Sequence, residues 1–101
     1  MKIRLSNQEI RIRIDREDLN FLEINQYLKE ELNIGNGSKF EILLIFSDHS
    51  LEAALNFKDG ILKIFIPEIK GNEWMISPLE GLYFSVGEVK LSIEKDKGCK
   101  H

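Results

Sequence analysis

A single cysteine in 101 residues removes the intrachain disulfide as a means of stapling the fold, and with it the usual framework of small secreted domains. Histidine is as scarce, with two in the chain, His49 and His101. The longest unbroken apolar run, Ile42 to Phe46, falls far short of the roughly 20 residues that cross a bilayer. The first residues alternate charged with apolar side chains and lack the apolar stretch of a signal peptide. No Gly-Lys-Ser/Thr closes a phosphate-binding loop, and no repeat, low-complexity tract or linker stands out. Basic side chains are outnumbered by acidic ones, 14 to 17, for a net charge of −3. That balance argues against a dedicated nucleic-acid binder. These absences lead to an expected cytoplasmic protein with no membrane segment and no cofactor.

What is present is an ordinary folding composition, 43% apolar and 31% charged. One domain is expected over residues 1–95, followed by a polar tail over 96–101. Its strands announce themselves as hairpins in which apolar residues fall opposite apolar residues. Joined by the four residues "SNQE", Lys2–Leu5 and Ile10–Ile14 set Leu5 against Ile10 and Ile3 against Ile12. Asp59-Gly60 is a type I′ turn signal that pairs Phe57 with Leu62, Leu55 with Ile64 and Ala53 with Ile66. Gly87 suits the first position of a type II′ turn, which pairs Val86 with Val89, Phe84 with Leu91 and Leu82 with Ile93. Tyr83, Ser85, Lys90, Ser92 and Glu94 then share the other face.

"KFEILLIFS" is apolar on both faces, with Phe40, Ile42, Leu44 and Phe46 on one and Leu43 and Ile45 on the other, as a covered central strand would be. A principal helix over about 15–25 supplies one cover, with Asp15 as its N-cap and Leu19, Phe21 and Leu22 as its buried stripe. A short helix near 67–75 places Trp74 and Met75 at an end of the core. Residues 27–34 admit two readings. As helix, Phe21, Ile24, Leu28 and Leu32 continue the spacing to a Gly35 C-cap. As strand, "GNG" forms a three-residue loop with Gly37 left-handed, and Leu32 meets Phe40 while Leu28 meets Leu44. The fold class is α+β, mostly antiparallel hairpins in a bent or barrel-like sheet.

The opening "MKIRL…IRIRI", the "NIGNG" before the main strand, "FIP" ahead of Trp74 and the closing "SIEKDKGC" resemble one family. It comprises short, uncharacterised bacterial proteins that open with a basic hairpin and end in E-K-D-x-x-C. The resemblance implies a bacterial origin and a strand over Tyr27–Ile34, where such proteins are richer in β-formers, although this chain has "LKEEL" there. It implies no activity and no catalytic residue.

The feature that asks for more than a fold is the register of the first hairpin, which sets Arg4 opposite Arg11 and Lys2 opposite Arg13 on the face the core does not use. Like charges directly opposite are destabilising by an amount comparable to the roughly 0.2–1 kcal/mol of a favourable pair. The side chains can splay into water, or meet carboxylates from Glu9, Glu41, Glu94 or Asp96. Otherwise Lys2, Arg4, Arg11 and Arg13 converge on an anion, for which arginine's rigid fork is suited. No aromatic interleaves with them, as a nucleic-acid surface would require.

Cys99 and His101 are a weak metal pair, since a stable site needs a third and usually a fourth ligand. Asp48, His49 and Ser50 are adjacent and point apart, so they make a turn and not a triad. The expected function is a non-enzymatic binding or interaction module with an anionic ligand, an acidic partner or a second copy of itself. The alternative is an enzyme on a phosphorylated or carboxylated small molecule, with Glu41 or Glu94 as base.

Overall fold

Alternating apolar residues make strands here, and turns whose residues accept a positive φ close them into hairpins. The computed structural model describes residues 1–96. Its hairpins are β1 (Lys2–Ser6) with β2 (Glu9–Ile14), β3 (Tyr27–Gly35) with β4 (Ser38–Ser47), β5 (Ala54–Lys58) with β6 (Ile61–Pro67), and β7 (Gly81–Val86) with β8 (Val89–Lys95). Helix α1 (Arg16–Asn25) joins the first two hairpins and α2 (Glu68–Ile76) joins the last two. The α+β class stands, with Asp15 capping α1 through the Asp18 amide and Pro67 ending β6 at the start of α2.

The registers follow the apolar pairing. Leu5 faces Ile10, Ile3 faces Ile12, and the cationic pairs Arg4–Arg11 and Lys2–Arg13 lie opposite each other. The turn between them is tighter than "SNQE" implied, because Ser6 pairs with Glu9 and leaves only Asn7 and Gln8 outside the ladder. Asp59 and Gly60 both have positive φ, 52° and 77°, as type I′ demands. At the second turn Ser38 pairs with Gly35, so the loop is Asn36-Gly37 and not the three residues "GNG". A register shift between Asn33 and Gly35 absorbs the extra residue.

Residues 27–35 are strand. Gln26 ends α1 by taking a left-handed φ of 65° while its own amide bonds the Leu22 carbonyl. Its side chain also donates to the carbonyls of Leu22 and Glu23, and its carbonyl accepts from the Phe46 amide. With the helix closed so firmly, "LKEEL" enters β3 with Leu28 opposite Leu44 and Leu32 opposite Phe40. Helix propensity loses to tertiary pairing.

The strands form two four-stranded sheets, which do not close into a barrel. Sheet A has the order β1-β2-β8-β7 and sheet B the order β3-β4-β6-β5. Each consists of two antiparallel hairpins joined at the centre by a parallel pair, β2 with β8 and β4 with β6. This arrangement contains a duplication that the sequence did not display. Exchanging β1 with β5, β2 with β6, α1 with α2, β3 with β7 and β4 with β8 turns each sheet into the other. The match extends to single residues. Ile10, Ile12 and Ile14 pair across to β8 as Leu62, Ile64 and Ile66 pair across to β4, and at the same offset Leu22 of α1 corresponds to Trp74 of α2.

Both sheets turn their apolar faces to one core. Ile12, Ile14, Leu44, Ile64, Ile66, Leu91 and Ile93 are fully buried there, with Leu22 and Trp74 from the helices. All hairpin turns lie at the end away from the helices. Leu19 and Leu22 join this inner cluster, so α1 does not cover the second face of β4. Leu43 and Ile45 stay half-buried on the outside of sheet B. Gly71 lets α2 pack directly on Phe46, since a Cβ there would sit 2.6 Å from the ring. Among the described residues no helix is long and apolar enough to cross a membrane.

Candidate anion-binding site

Because side chains alternate faces along a strand, burying Ile10, Ile12 and Ile14 forces Arg11 and Arg13 outward. Burying Ile3 against Ile12 does the same for Lys2 and Arg4. All four cations expected to converge do share the outer face of sheet A. They stand in two rows across the sheet, Lys2–Arg13–Glu94–Gly81 and Arg4–Arg11–Ser92–Tyr83. A shallow pocket of about 330 Å³ is lined by Lys2, Ile3, Arg4, Arg11 and Arg13. A second, of about 380 Å³, lies on the other side of Arg11 against Tyr83, Ser92 and Glu94.

Two carboxylates reach the cluster. Arg11 donates to Glu94 at 3.2 Å, and Lys2 lies 3.9 Å from Asp96. The side chains of Arg4 and Arg13 make no hydrogen bond or ion pair with any described residue. Glu94 also accepts from the Tyr83 hydroxyl at 3.0 Å. Burial alone would raise the Glu94 pKa, but the hydrogen bonds from Tyr83 and Arg11 and the fields of Arg11 and Arg13 outweigh it, so the carboxyl sits below its ordinary value. The same bond raises Tyr83, helped by burial and by the Glu94 charge.

Glu94 therefore adds stability that is complete above its ordinary pKa of 4.5 and is lost as pH falls through the lower folded value. Glu94→Gln is expected to lower stability by about 1 kcal/mol at neutral pH and to flatten the acid side of the stability–pH curve. Urea titrations from pH 3 to 7 measure both effects. An unchanged acid limb would mean that the pair contributes nothing to folding.

The other carboxylates are elsewhere. Glu41 lies on the outer face of sheet B within 4 Å of Lys29 and Lys39, so it serves neither as partner nor as base for the arginines. Glu9 is on the right face, one row below. His49 contacts Asp48 at 3.2 Å in an exposed loop, and Ser50 bonds the Glu52 backbone, which leaves no triad. Cys99 and His101 lie outside the described residues. Among the described residues no group of three His, Cys, Asp or Glu side chains is placed to hold a metal.

The duplication supplies an internal control for the cations. The positions in sheet B that correspond to Lys2, Arg4, Arg11 and Arg13 hold Ala54, Asn56, Lys63 and Phe65. The same architecture stands with one cation there instead of four, so the fold does not require the charge.

A family model matches residues 1–101. The chain belongs to DUF7009, a family of unknown function. Nothing matches among curated proteins or among solved structures. In this DUF7009 chain the sequence placed Tyr83, Ser92 and Glu94 on one face but missed that β8 runs parallel beside β2, which sets that face against the arginines. The runs "IRIRID" and "LKIFIP", which each end in a helix N-cap, mark β2 and β6 as alike but say nothing of their neighbours.

Proposed function

We propose that the chain is a non-enzymatic binding module whose outer sheet A face takes an anionic ligand or an acidic partner. One observation carries this reading. Arg4 and Arg13 project beside Arg11 and Lys2 with no carboxylate of their own, at positions where the duplicated half makes do with Asn56 and Phe65. Lys2, Arg4, Arg11, Arg13 and Lys90 against Glu9, Glu94 and Asp96 leave the face two charges positive on a chain whose net charge is −3. A surplus of one sign, gathered locally against the overall balance, attracts a ligand of the other sign. Phosphate and carboxylate oxygens both match the guanidinium fork.

The enzymatic alternative fares worse on the same geometry. Its base would be Glu94, yet Arg11 and Tyr83 hold that carboxylate ionised and weakly basic.

Calorimetric titration with inorganic phosphate, citrate and hexaglutamate at low and high salt tests the proposal. At least one of the three is expected to bind, more weakly as salt rises. Arg4→Ala with Arg13→Ala should lose about tenfold to a hundredfold in affinity, from two charge-assisted hydrogen-bonding groups. Binding that survives this double substitution, or no binding of any of the three, would overturn it.

A further inference from the structure

Building on that binding reading, we infer that sheet A receives its acidic partner as a fifth strand along the free edge of β1, an extended peptide segment in which acidic and apolar residues alternate. Three features meet at this edge. First, β1 is the outermost strand of its sheet and pairs only with β2 among the described residues. Half of its backbone N–H and C=O groups consequently face outward, which is the template for strand addition.

Second, the cations stand on this strand and the one behind it. Lys2, whose side chain is 81% exposed, and Arg4 belong to β1, with Arg13 and Arg11 behind them on β2. Charge on an edge normally repels an arriving strand. Here it repels every strand except one that brings carboxylates to the same face.

Third, the inner side of the same edge is apolar and open. Ile3 and Leu5 border a groove of about 470 Å³ whose far wall is the β3–β4 hairpin, with Leu32, Ile34, Phe40 and Ile42. Leu5, Leu32 and Ile34 are 52%, 60% and 61% exposed. The duplication shows that this wall is an addition. The β7–β8 hairpin turns immediately after Val86 and Val89, whereas β3–β4 runs on past the corresponding Leu32–Phe40 pair to turn at Asn36-Gly37. Nothing among the described residues covers the apolar side of that extension.

Strand geometry converts these features into a sequence pattern for the partner. Side chains on one face repeat about every 6.8 Å, so carboxylates opposite Lys2 and Arg4 fall two residues apart. The residue between them points into the groove and must be apolar. Glu30 lines the groove's far wall, on the face of β3 that carries Leu28 and Leu32, and disfavours the opposite placement, with acids turned inward.

The test uses the full chain, labelled with ¹⁵N, and three probes: the blocked peptide Glu-Leu-Glu-Val-Glu-Leu, the same peptide with alternate backbone amides methylated, and hexaglutamate. The alternating peptide is expected to bind tightest and to slow amide exchange within Lys2–Ser6. Leu32→Ser with Ile34→Ser, both on the surface, should weaken that peptide about tenfold or more while leaving hexaglutamate unchanged. Arg4→Glu should weaken both. If the methylated peptide binds as well as its parent, or β1 amides gain no protection, strand addition is wrong and the cationic face alone survives. If hexaglutamate and the alternating peptide are both ignored, strand addition falls, and the binding reading falls with it only when phosphate and citrate are ignored as well. Displacement of the peptide by a single-stranded oligonucleotide of equal affinity would overturn the choice of partner.

Discussion

Trp74→Ala is expected to lower the unfolding free energy by about 3–5 kcal/mol, a large share of the roughly 5–15 kcal/mol that a domain of this size has in total. Trp74 is 2% exposed at the helix end of the core. Its indole N–H donates to the Glu80 carbonyl at 3.3 Å. Lys95 lies 5.3 Å from the ring centroid and donates to the carbonyls of Trp74 and Ser77 at the C-terminus of α2. One truncation therefore removes the largest buried side chain and loosens the lysine that satisfies the helix end. Far-UV circular dichroism during urea titration measures the loss, since the chain's single tryptophan is gone from the variant. A change below 1 kcal/mol would mean that the ring is not the plug described above.

Ile12→Ala and Ile64→Ala are each expected to cost about 2–5 kcal/mol, and to match each other within about 1 kcal/mol. The two residues are fully buried at equivalent sites of the duplication, Ile12 between Ile3 and Ile93 and Ile64 between Leu55 and Leu44. If the sheets unfold as one unit, both variants should keep a single transition with an unchanged urea slope. A large effect from one and little from the other would show that the two sheets do not share a cooperative core.

Hairpins were the legible part of this fold. The hairpin registers read from apolar pairing hold, from Leu5–Ile10 to Phe84–Leu91, with only Ala53–Ile66 falling beyond the paired residues of β5, because a one-residue slip would turn each strand's apolar face to water. What the residues did not reveal was how hairpins combine. The central pairs β2–β8 and β4–β6 join segments distant in the chain, and no local pattern encodes that choice. "LKEEL" misled in a different way, since its helical preference yields to the left-handed cap at Gln26. The duplication stayed hidden because only inward positions are kept alike. Outside, Arg13 faces Phe65 and Lys2 faces Ala54 across the exchange.

The candidate site was half legible. The four cations on one face followed from the first hairpin alone, whereas the acid that reaches them did not. Glu94 and Glu41 looked equivalent on paper, and only the pairing of β8 beside β2 separates them. The open groove was invisible for a similar reason. Leu32 and Ile34 read as interior positions of a strand, and they stand in water because their hairpin outruns the sheet opposite.

The parallel join of β2 to β8 also makes the opening hairpin depend on the closing one. Sheet B needs nothing beyond Pro67, so all its strands precede the last two of sheet A. The opening ribbon has both long sides bare until Val89–Lys95 emerges, and contacts this distant in the chain form slowly. Four like charges on its outer face then disfavour pairing with a second copy of the same ribbon.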